Sequence, residues 1–438
     1  MADTIMQKLE QLAELILSEA KAQGADSAQC VVKEKETHEF NMDGGEFSLM
    51  RTLFDRSVGI TVLKGARKGA GSINSFEPEA VRKAVADRIA SAESAEPDKA
   101  WEFDSKPRDE SFTDGAVECD VSALFARTKE LADDVAACHP KILIEQLITE
   151  HGAARAVYKN SSGVTVRTTE GCYAFSLMYS AHEGEKATSF FYGDVMLKDL
   201  DRRVIDCAFI ERELSAVENQ LDPTVLEGKF TGTVVLAPGA LSELVLSPLY
   251  DSFVSDACLI DGTSIWKDKL GEQVADTCFT LSFAPRAEDV VCGSRYTGEG
   301  YRAEDCDLIR GGKLVSFALS QYGANKTGGV RAGNLSWNPR IPAGDKSLDE
   351  IVAGIERGVL VMRFSGGEPA SSGEFSGVAK NSFLIENGKL AGALNETMIS
   401  GCIPDMLMNI RAISSDVLRD GMSALPYVAF DGVTVSGK

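Results

Sequence analysis

The stretch ALSELVLSPLY, residues 240–250, places a single carboxylate between two serines in an otherwise apolar segment. Zinc hydrolases carry two histidines and a glutamate on one helix, where the imidazoles hold the metal and the glutamate acts as the base. Here Ser242 and Ser247 flank Glu243. Neutral hydroxyls are poor zinc ligands beside imidazole, thiolate or carboxylate, so we expect no metal on these three residues.

The apolar residues around Glu243 predict an amphipathic helix whose serines and carboxylate face solvent. Its buried side is expected to consist of Leu241, Leu244, Val245 and Leu249. On a regular helix, positions five apart diverge at roughly 100° per residue, so Ser242 and Ser247 are expected on different sides. Pro248 indicates that the helix is distorted or ends there. Without a metal to lower the pKa of bound water, Glu243 is not expected to act as a catalytic base. We therefore expect no catalytic residue in this stretch.

Histidines and cysteines offer no other metal site in the sequence. All four histidines lie at or before residue 182, and His182 lacks a second histidine four or five positions further on. The ten cysteines form no CxxC pair, so neither a zinc ribbon nor a compact disulfide scaffold is indicated. We expect reduced thiols and a cytoplasmic protein. The sequence also lacks GxSxG, Walker and Rossmann motifs.

The charge balance argues against nucleic acid as a partner. The chain has 438 residues with 66 acidic and 45 basic side chains, a formal net charge of −21. Such an excess repels phosphate backbones. The first 20 residues carry charges throughout and lack the apolar run of a signal peptide or membrane span, so we expect neither export nor a membrane anchor.

The order of helical and strand-like patterns predicts an α+β fold. An amphipathic helix opens the chain, and strand-like runs at 28–75 predict a small antiparallel sheet. Further helices are expected near 77–92, 121–137 and 203–219. From residue 231 onward, short strands ended by glycine predict a β-rich second half, a barrel-like or sandwich-like antiparallel domain.

We therefore divide the chain into four parts. Residues 1–95 are expected to form an N-terminal α/β domain, followed by a polar, proline-punctuated linker at 96–114. Residues 115–222 are expected to be a middle α/β region that completes the N-terminal half. The β-rich C-terminal domain, with the helix of Glu243, is expected over 223–438.

Several segments resemble the TldD/PmbA family. They are RSVGITVLKGARKGAGS (56–72), TGEGYRAEDCDLIRGGKLVSFALSQYGANKTG (297–328), SGEFSGVAKNSFLIENGKL (372–390) and GMSALPYVAFDGVTVSG (421–437). These segments span nearly the whole chain in the expected order. The family is associated with ATP-independent proteolysis and maturation of small peptides, and was earlier labelled a modulator of DNA gyrase.

The resemblance also explains what the serines replace. One branch of the family carries HExxxH after a strand like TVVLAPG, with a later cysteine completing a zinc site. Here both histidine positions are serine, and Met422 stands near the place where the cysteine is expected, whereas the last cysteine is Cys402. The chain thus resembles the PmbA/TldE branch, which implies a non-catalytic partner of a TldD-type zinc metallopeptidase, with the zinc in the partner subunit and none in this chain.

The sequence gives a weaker indication of which residues contact a peptide. Arg302 in GEGYR could pair with peptide carboxylates, and Tyr322 in SQYGANK could line a cleft that takes an extended strand. A surface ion pair and a core tyrosine are the competing interpretations.

Two alternatives to the partner-subunit hypothesis stay open from the sequence. The chain could be a metallopeptidase on its own, with Glu243 and unrecognised carboxylates as ligands. It could instead be a regulatory interaction protein of the gyrase-modulator type. A homodimer of the isolated chain rests only on symmetric dimers being the commonest oligomers.

Overall fold

The computed structural model describes residues 2–395 and 397–438, with side chains from Thr4 onward. Two sheets organise this part of the chain, and helices pack on and between them. The chain is therefore mixed α+β, as the sequence predicts. Among the described residues, none of the helices combines the length and the apolar character needed to cross a membrane.

The helices follow the predicted order. Their bounds are α1 Ala2–Ala22, α2 Pro78–Ser94, α3 Val121–Cys138, α4 Ile210–Glu218, α5 residues 238–254, α6 Asp256–Ile260, α7 Gln321–Thr327, α8 Leu348–Ala353 and α9 Ile403–Met408. The helices predicted near 77–92 and 121–137 are confirmed as α2 and α3. The helix predicted at 203–219 is instead a short 3-10 turn, Val204–Asp206, followed by α4, because Ala208 and Phe209 adopt positive φ and break the helix between them.

The first sheet has eight strands within the described residues. They are β1 Ser27–Asp43, β2 Glu46–Lys64, β3 Arg67–Ile73, β4 Arg108–Gly115, β5 Ile142–Asn160, β6 Val164–Glu183, β7 Lys186–Ala187 and β8 Phe191–Leu197. The central order is β3-β2-β1-β5-β6-β4, and β7 and β8 also pair with β6. The β1, β2 and β3 strands are antiparallel, which confirms the small antiparallel sheet predicted at 28–75. The same sheet continues through β5 and β6, so it joins the predicted N-terminal and middle regions.

The stretch predicted as a linker contains a strand. Residues 108–115 form β4, which runs parallel to β6 from Arg108 opposite Val164 to Gly115 opposite Gly171. The residues of β4 are mostly polar and alternate between half-buried and exposed, so they lack the alternating apolar pattern from which a strand is recognised. Polar composition therefore suggested a linker where the chain forms an edge strand.

The second sheet closes into a barrel. Its strands are β9 Thr224–Val225, β10 Lys229–Leu236, β11 Leu281–Phe283, β12 Cys306–Arg310, β13 Lys313–Leu314, β14 Pro339–Arg340, β15 Arg357–Gly366, β16 Glu374–Glu386, β17 Lys389–Asn395, β18 Met398–Cys402, β19 Ile410–Arg419 and β20 Ala424–Ser436. The pairing β20-β10-β15-β16-β18 returns to β20, so these strands form a closed ring. The ring is not fully antiparallel, because β10 and β15 run parallel.

Three large apolar clusters hold the described part of the fold together. The first lies between the first sheet and helices α1 and α2, and includes Leu9 and Val85. The second lies under α3 and α4 and includes Tyr427 of the barrel, so it is shared by the two sheets. The third fills the barrel around α5 and includes Phe253 and Trp266. Burial at about 25 cal/mol per Å² of apolar surface makes these clusters the main source of stability.

Candidate functional site

The helix that carries Glu243 is a composite with two π turns. Helix α5 begins at Pro238, directly after β10, where proline suits the first helical position. Residues Ser242–Leu246 form the first π segment, in which the Ser247 N–H donates to the Ser242 carbonyl. A second π segment covers Tyr250–Val254. Such i to i+5 turns are rare and recur at functional sites.

The first π turn corrects the sequence prediction for the two serines. In an i to i+5 turn, positions 242 and 247 are one turn apart, so both lie on the same side of the helix. The expectation that they diverge assumed a regular α-helix and is wrong. The two serines, five residues apart in sequence, are therefore neighbours on one side of α5.

The buried side of α5 is larger than predicted. The four residues expected to pack inward, Leu241, Leu244, Val245 and Leu249, have no exposed surface. Leu246 is also buried. Ser242, Glu243 and Ser247 are half-buried rather than fully exposed, so the prediction that they face solvent holds only in part.

Both carboxylate oxygens of Glu243 accept hydrogen bonds. The Tyr192 hydroxyl on β8 donates to Oε1 at 2.6 Å, and the backbone N–H of Phe364 on β15 donates to Oε2 at 3.2 Å. Tyr192 belongs to the first sheet and Phe364 to the barrel. Glu243 therefore connects α5 to both sheets.

An arginine lies beside this connection. The Arg363 guanidinium stands 4.8 Å from the ring centroid of Phe190 and 4.7 Å from that of Tyr192, and its Nη1 donates to the Phe190 carbonyl at 2.9 Å. Burial of the ring and the Glu243 carboxylate raise the pKa of Tyr192 to about 12, and Arg363 opposes the rise. The phenol is therefore protonated at neutral pH and serves as the donor to Glu243.

Arg302 and Tyr322 have contacts of their own, away from Glu243. The Arg302 guanidinium forms an ion pair of 2.6 Å with Glu110 on β4. The Tyr322 ring stacks on Trp101, with centroids 3.8 Å apart and planes 17° apart, and its hydroxyl donates to Asp98 at 3.0 Å. Both side chains thus attach residues 96–115 to the C-terminal domain, and their role in peptide binding stays a prediction.

The comparisons with known proteins agree with this fold. The description "PmbA/TldA metallopeptidase C-terminal domain" matches residues 228–437, and "PmbA/TldA metallopeptidase domain 1" matches residues 28–92. Together these models cover more than half of the chain and define the class as metallopeptidase-like. The chain belongs to the PmbA/TldD family.

The similarity to known proteins extends over most of the chain. The metalloprotease PmbA of Escherichia coli O157:H7 is 26% identical over 91% of this chain and 88% of its own length. A PmbA homologue of Haemophilus influenzae is 25% identical over 87% of this chain and 86% of its own length. The crystal structure of TldE from Thermococcus kodakarensis has a TM-score of 0.84 at 20% identity, and covers 97% of this chain and 100% of its own. The chain therefore has the TldE fold.

Ser242, Glu243 and Ser247 do not fit zinc. The two positions that face the same side of α5 offer only hydroxyls, and both oxygens of Glu243 already accept hydrogen bonds. Cys402 donates to the Ser372 carbonyl instead. In the part of the chain that the structure describes, no group of three or more His, Cys, Asp or Glu side chains is placed to hold a metal ion. No step of a metal-dependent reaction is assigned to this chain.

Proposed function

We propose that this chain is the non-catalytic subunit of a TldD/TldE-type zinc metallopeptidase that acts in peptide proteolysis or maturation. One observation carries the proposal. The π turn keeps positions 242 and 247 on one side of α5, while serines occupy both and the carboxylate of Glu243 is used in hydrogen bonds to Tyr192 and Phe364. The helix thus retains the shape of a metallopeptidase helix without its ligands.

In this proposal the zinc belongs to a TldD-type partner subunit. This chain would complete the walls of the chamber in which the partner cleaves peptides. The composite helix would contribute packing rather than chemistry, because its apolar side is buried in the barrel and its carboxylate connects the two sheets. We place the complex in the cytoplasm, where the ten thiols would be kept reduced.

The edge of the first sheet offers a surface for the partner. Strand β3 pairs with β2 only over Val58–Lys64, and residues 46–57 of β2 are exposed on both faces. Met50 is 67% exposed and Phe54 is 71% exposed. An unpaired strand edge with apolar side chains is a surface that another chain can cover by continuing the sheet. We therefore assign residues 46–57 to the subunit interface.

The proposal is tested with the purified chain, alone and mixed with a TldD-type subunit from the same source. We expect zinc and peptide cleavage only in the mixture. Zinc together with cleavage in the isolated chain would favour the self-sufficient metallopeptidase. Co-purification with gyrase rather than the TldD-type subunit would favour the regulatory interaction protein.

The interface is tested in the same mixture. Met50→Lys combined with Phe54→Glu should abolish the complex, since both charges would have to be buried against the partner. Leu390→Lys, at an apolar residue that is 48% exposed on β17, is the matched control and should leave the complex intact. Analytical ultracentrifugation distinguishes the complex from a homodimer of this chain. A complex that survives the double substitution would exclude this edge as the interface.

A further inference from the structure

The outer edge of β6 has a gap at Cys172. Strand β4 pairs with β6 up to Gly115 opposite Gly171, and β8 begins its pairing at Leu197 opposite Tyr173. Cys172 lies between these two pairings, at the point where β6 passes from one neighbour to the other. Its side chain is half-buried and belongs to no strand pair on that edge.

A second cysteine, from the barrel side of the molecule, reaches this gap. Cys292 lies in the loop after β11, and its backbone has the left-handed φ of 53°, which is unusual for a residue with a side chain. The loop is held against β4 by a 3.2 Å ion pair between Arg295 and Asp114. The Cys292 sulfur lies 3.9 Å from the point that a Cβ on Gly115 would occupy. Gly115 is opposite Gly171, the residue that precedes Cys172.

The two thiols are neighbours. The Cys172 and Cys292 side chains influence each other's ionisation, although the residues are far apart in sequence and only Cys172 belongs to a strand. Two other half-buried thiols have different partners. Cys402 donates to the Ser372 carbonyl, and Cys306 accepts from the amide of Asn334.

We propose that Cys172 and Cys292 form a disulfide site that links the first sheet to the C-terminal domain under oxidising conditions. The left-handed φ at Cys292 costs free energy in a residue with a side chain. The assigned modification concerns neither Glu243 nor the partner subunit, so it is independent of the proposed function.

The surroundings of the two thiols determine which of them reacts first. The neighbouring Cys292 thiol and the charge of Lys35 hold the pKa of the Cys172 thiol below its ordinary value, against the effect of burial. The neighbouring Cys172 thiol and partial burial raise the pKa of Cys292. Cys172 is therefore the better nucleophile of the two.

Oxidation requires a low-molecular-weight disulfide, such as oxidised glutathione, as the electron acceptor. The Cys172 thiolate attacks one sulfur of this oxidant, which releases one thiol and leaves a mixed disulfide on Cys172. The Cys292 thiol then loses its proton and attacks the Cys172 sulfur, which releases the second thiol. Two protein thiols are oxidised to one disulfide, and one oxidant disulfide is reduced to two thiols.

The experiment treats the folded full-length chain with oxidised glutathione, then alkylates free thiols in acid-quenched, denatured samples and maps peptides by mass spectrometry. We expect two fewer alkylated thiols and one cross-linked peptide pair containing Cys172 and Cys292, both reversed by dithiothreitol. Cys402→Ser is the matched control, and it should leave the cross-link unchanged. A chain in which both thiols remain alkylatable would overturn the proposal.

Two variants test the order of attack. Cys292→Ser should accumulate the glutathione mixed disulfide on Cys172, whereas Cys172→Ser should not accumulate it on Cys292. Circular dichroism checks that both variants are folded, and treatment of the urea-unfolded wild-type chain shows whether the cross-link depends on the fold. Equal cross-linking of the unfolded chain, or pairing of Cys172 with another cysteine, would overturn the proposal.

Discussion

The Tyr192 hydroxyl donates a 2.6 Å hydrogen bond to Oε1 of Glu243, and this bond joins the first sheet to the composite helix of the barrel. In a zinc peptidase of this class a glutamate next to the metal would act on water. In this chain the carboxylate is instead held by two donors from different sheets. Glu243 thus has a structural role that does not require histidines beside it.

Removal of the Tyr192 hydroxyl should destabilise the chain. Tyr192→Phe keeps the ring beside Arg363 but leaves one oxygen of Glu243 without its donor. Hydrogen bonds to charged groups contribute roughly 1.5–3 kcal/mol, and partial exposure of Tyr192 places the expected loss near the lower value, about 1–2 kcal/mol. The free energy of unfolding in urea measures this loss.

Serine substitutions on the same helix provide the control. Ser242→Ala and Ser247→Ala leave the Glu243 bonds in place and should change the free energy of unfolding by less than about 0.5 kcal/mol each. Equal losses for Tyr192→Phe and Ser247→Ala would show that the bond to Glu243 contributes nothing specific.

Glu213 should make the stability depend on pH. Glu213 lies on the buried side of α4; this burial raises the pKa of its carboxyl to about 8, and the nearby Asp194 adds to the rise while Arg212 opposes it. Between about pH 4.5, the ordinary value, and pH 8, the folded state keeps a proton that the unfolded state has lost. The free energy of unfolding therefore falls as the pH rises through this window, by up to about 1.4 kcal/mol per pH unit.

Glu213→Gln should remove that slope, because the amide has no proton to lose. Urea unfolding at intervals between pH 5 and pH 9 measures the effect, and the variant should be the more stable chain at pH 8. Glu211→Gln, at an exposed position of the same helix, is the matched control and should retain the wild-type slope. A parallel pH profile for wild type and Glu213→Gln would refute the assignment.

The sequence predicted the fold class and the long helices α1, α2 and α3, since apolar periodicity depends on local residue patterns. It missed the π turn between Ser242 and Ser247, because the choice between α and π hydrogen bonding is made by packing in the barrel. It also missed Tyr192, which reaches Glu243 from the first sheet, and Arg363 on β15, which contacts the Tyr192 ring. Neither residue has a sequence spacing that relates it to Glu243, so only the tertiary structure brings them together.

Trp101 should anchor the stretch that was predicted as a linker. Its ring lies between Tyr322, at 3.8 Å, and the Lys68 ammonium, at 3.6 Å. Trp101→Ala removes an aromatic pair and a cation–π contact, each of which contributes roughly 0.5–1.5 kcal/mol, so we expect a loss of about 1–3 kcal/mol. Limited proteolysis should then cut residues 96–107 faster than in the wild type.

Tyr322→Phe separates the structural role of this cluster from peptide binding. The variant keeps the stacked ring and loses only the bond to Asp98, so proteolysis of residues 96–107 should change little. A large loss of peptide affinity in the complex with an unchanged cleavage pattern would support the predicted substrate contact. Unchanged affinity would leave Tyr322 as a packing residue.

Histidines at both serine positions should not restore a peptidase. The π turn would place the two imidazoles of a Ser242→His/Ser247→His variant on one side of α5, but Glu243 is held by its two donors and Met422 stands where the family's cysteine is expected. Catalytic zinc sites use three protein ligands, so two imidazoles should give weak metal binding and no peptide cleavage. Elemental analysis after dialysis, with Ser242→Ala/Ser247→Ala as the control, measures the bound zinc. Adding Met422→Cys should tighten binding if Met422 occupies the cysteine's place. Stoichiometric zinc in the double-histidine variant would show that a third ligand already lies within reach of α5, and the assignment of a lost metal site would then have to be abandoned.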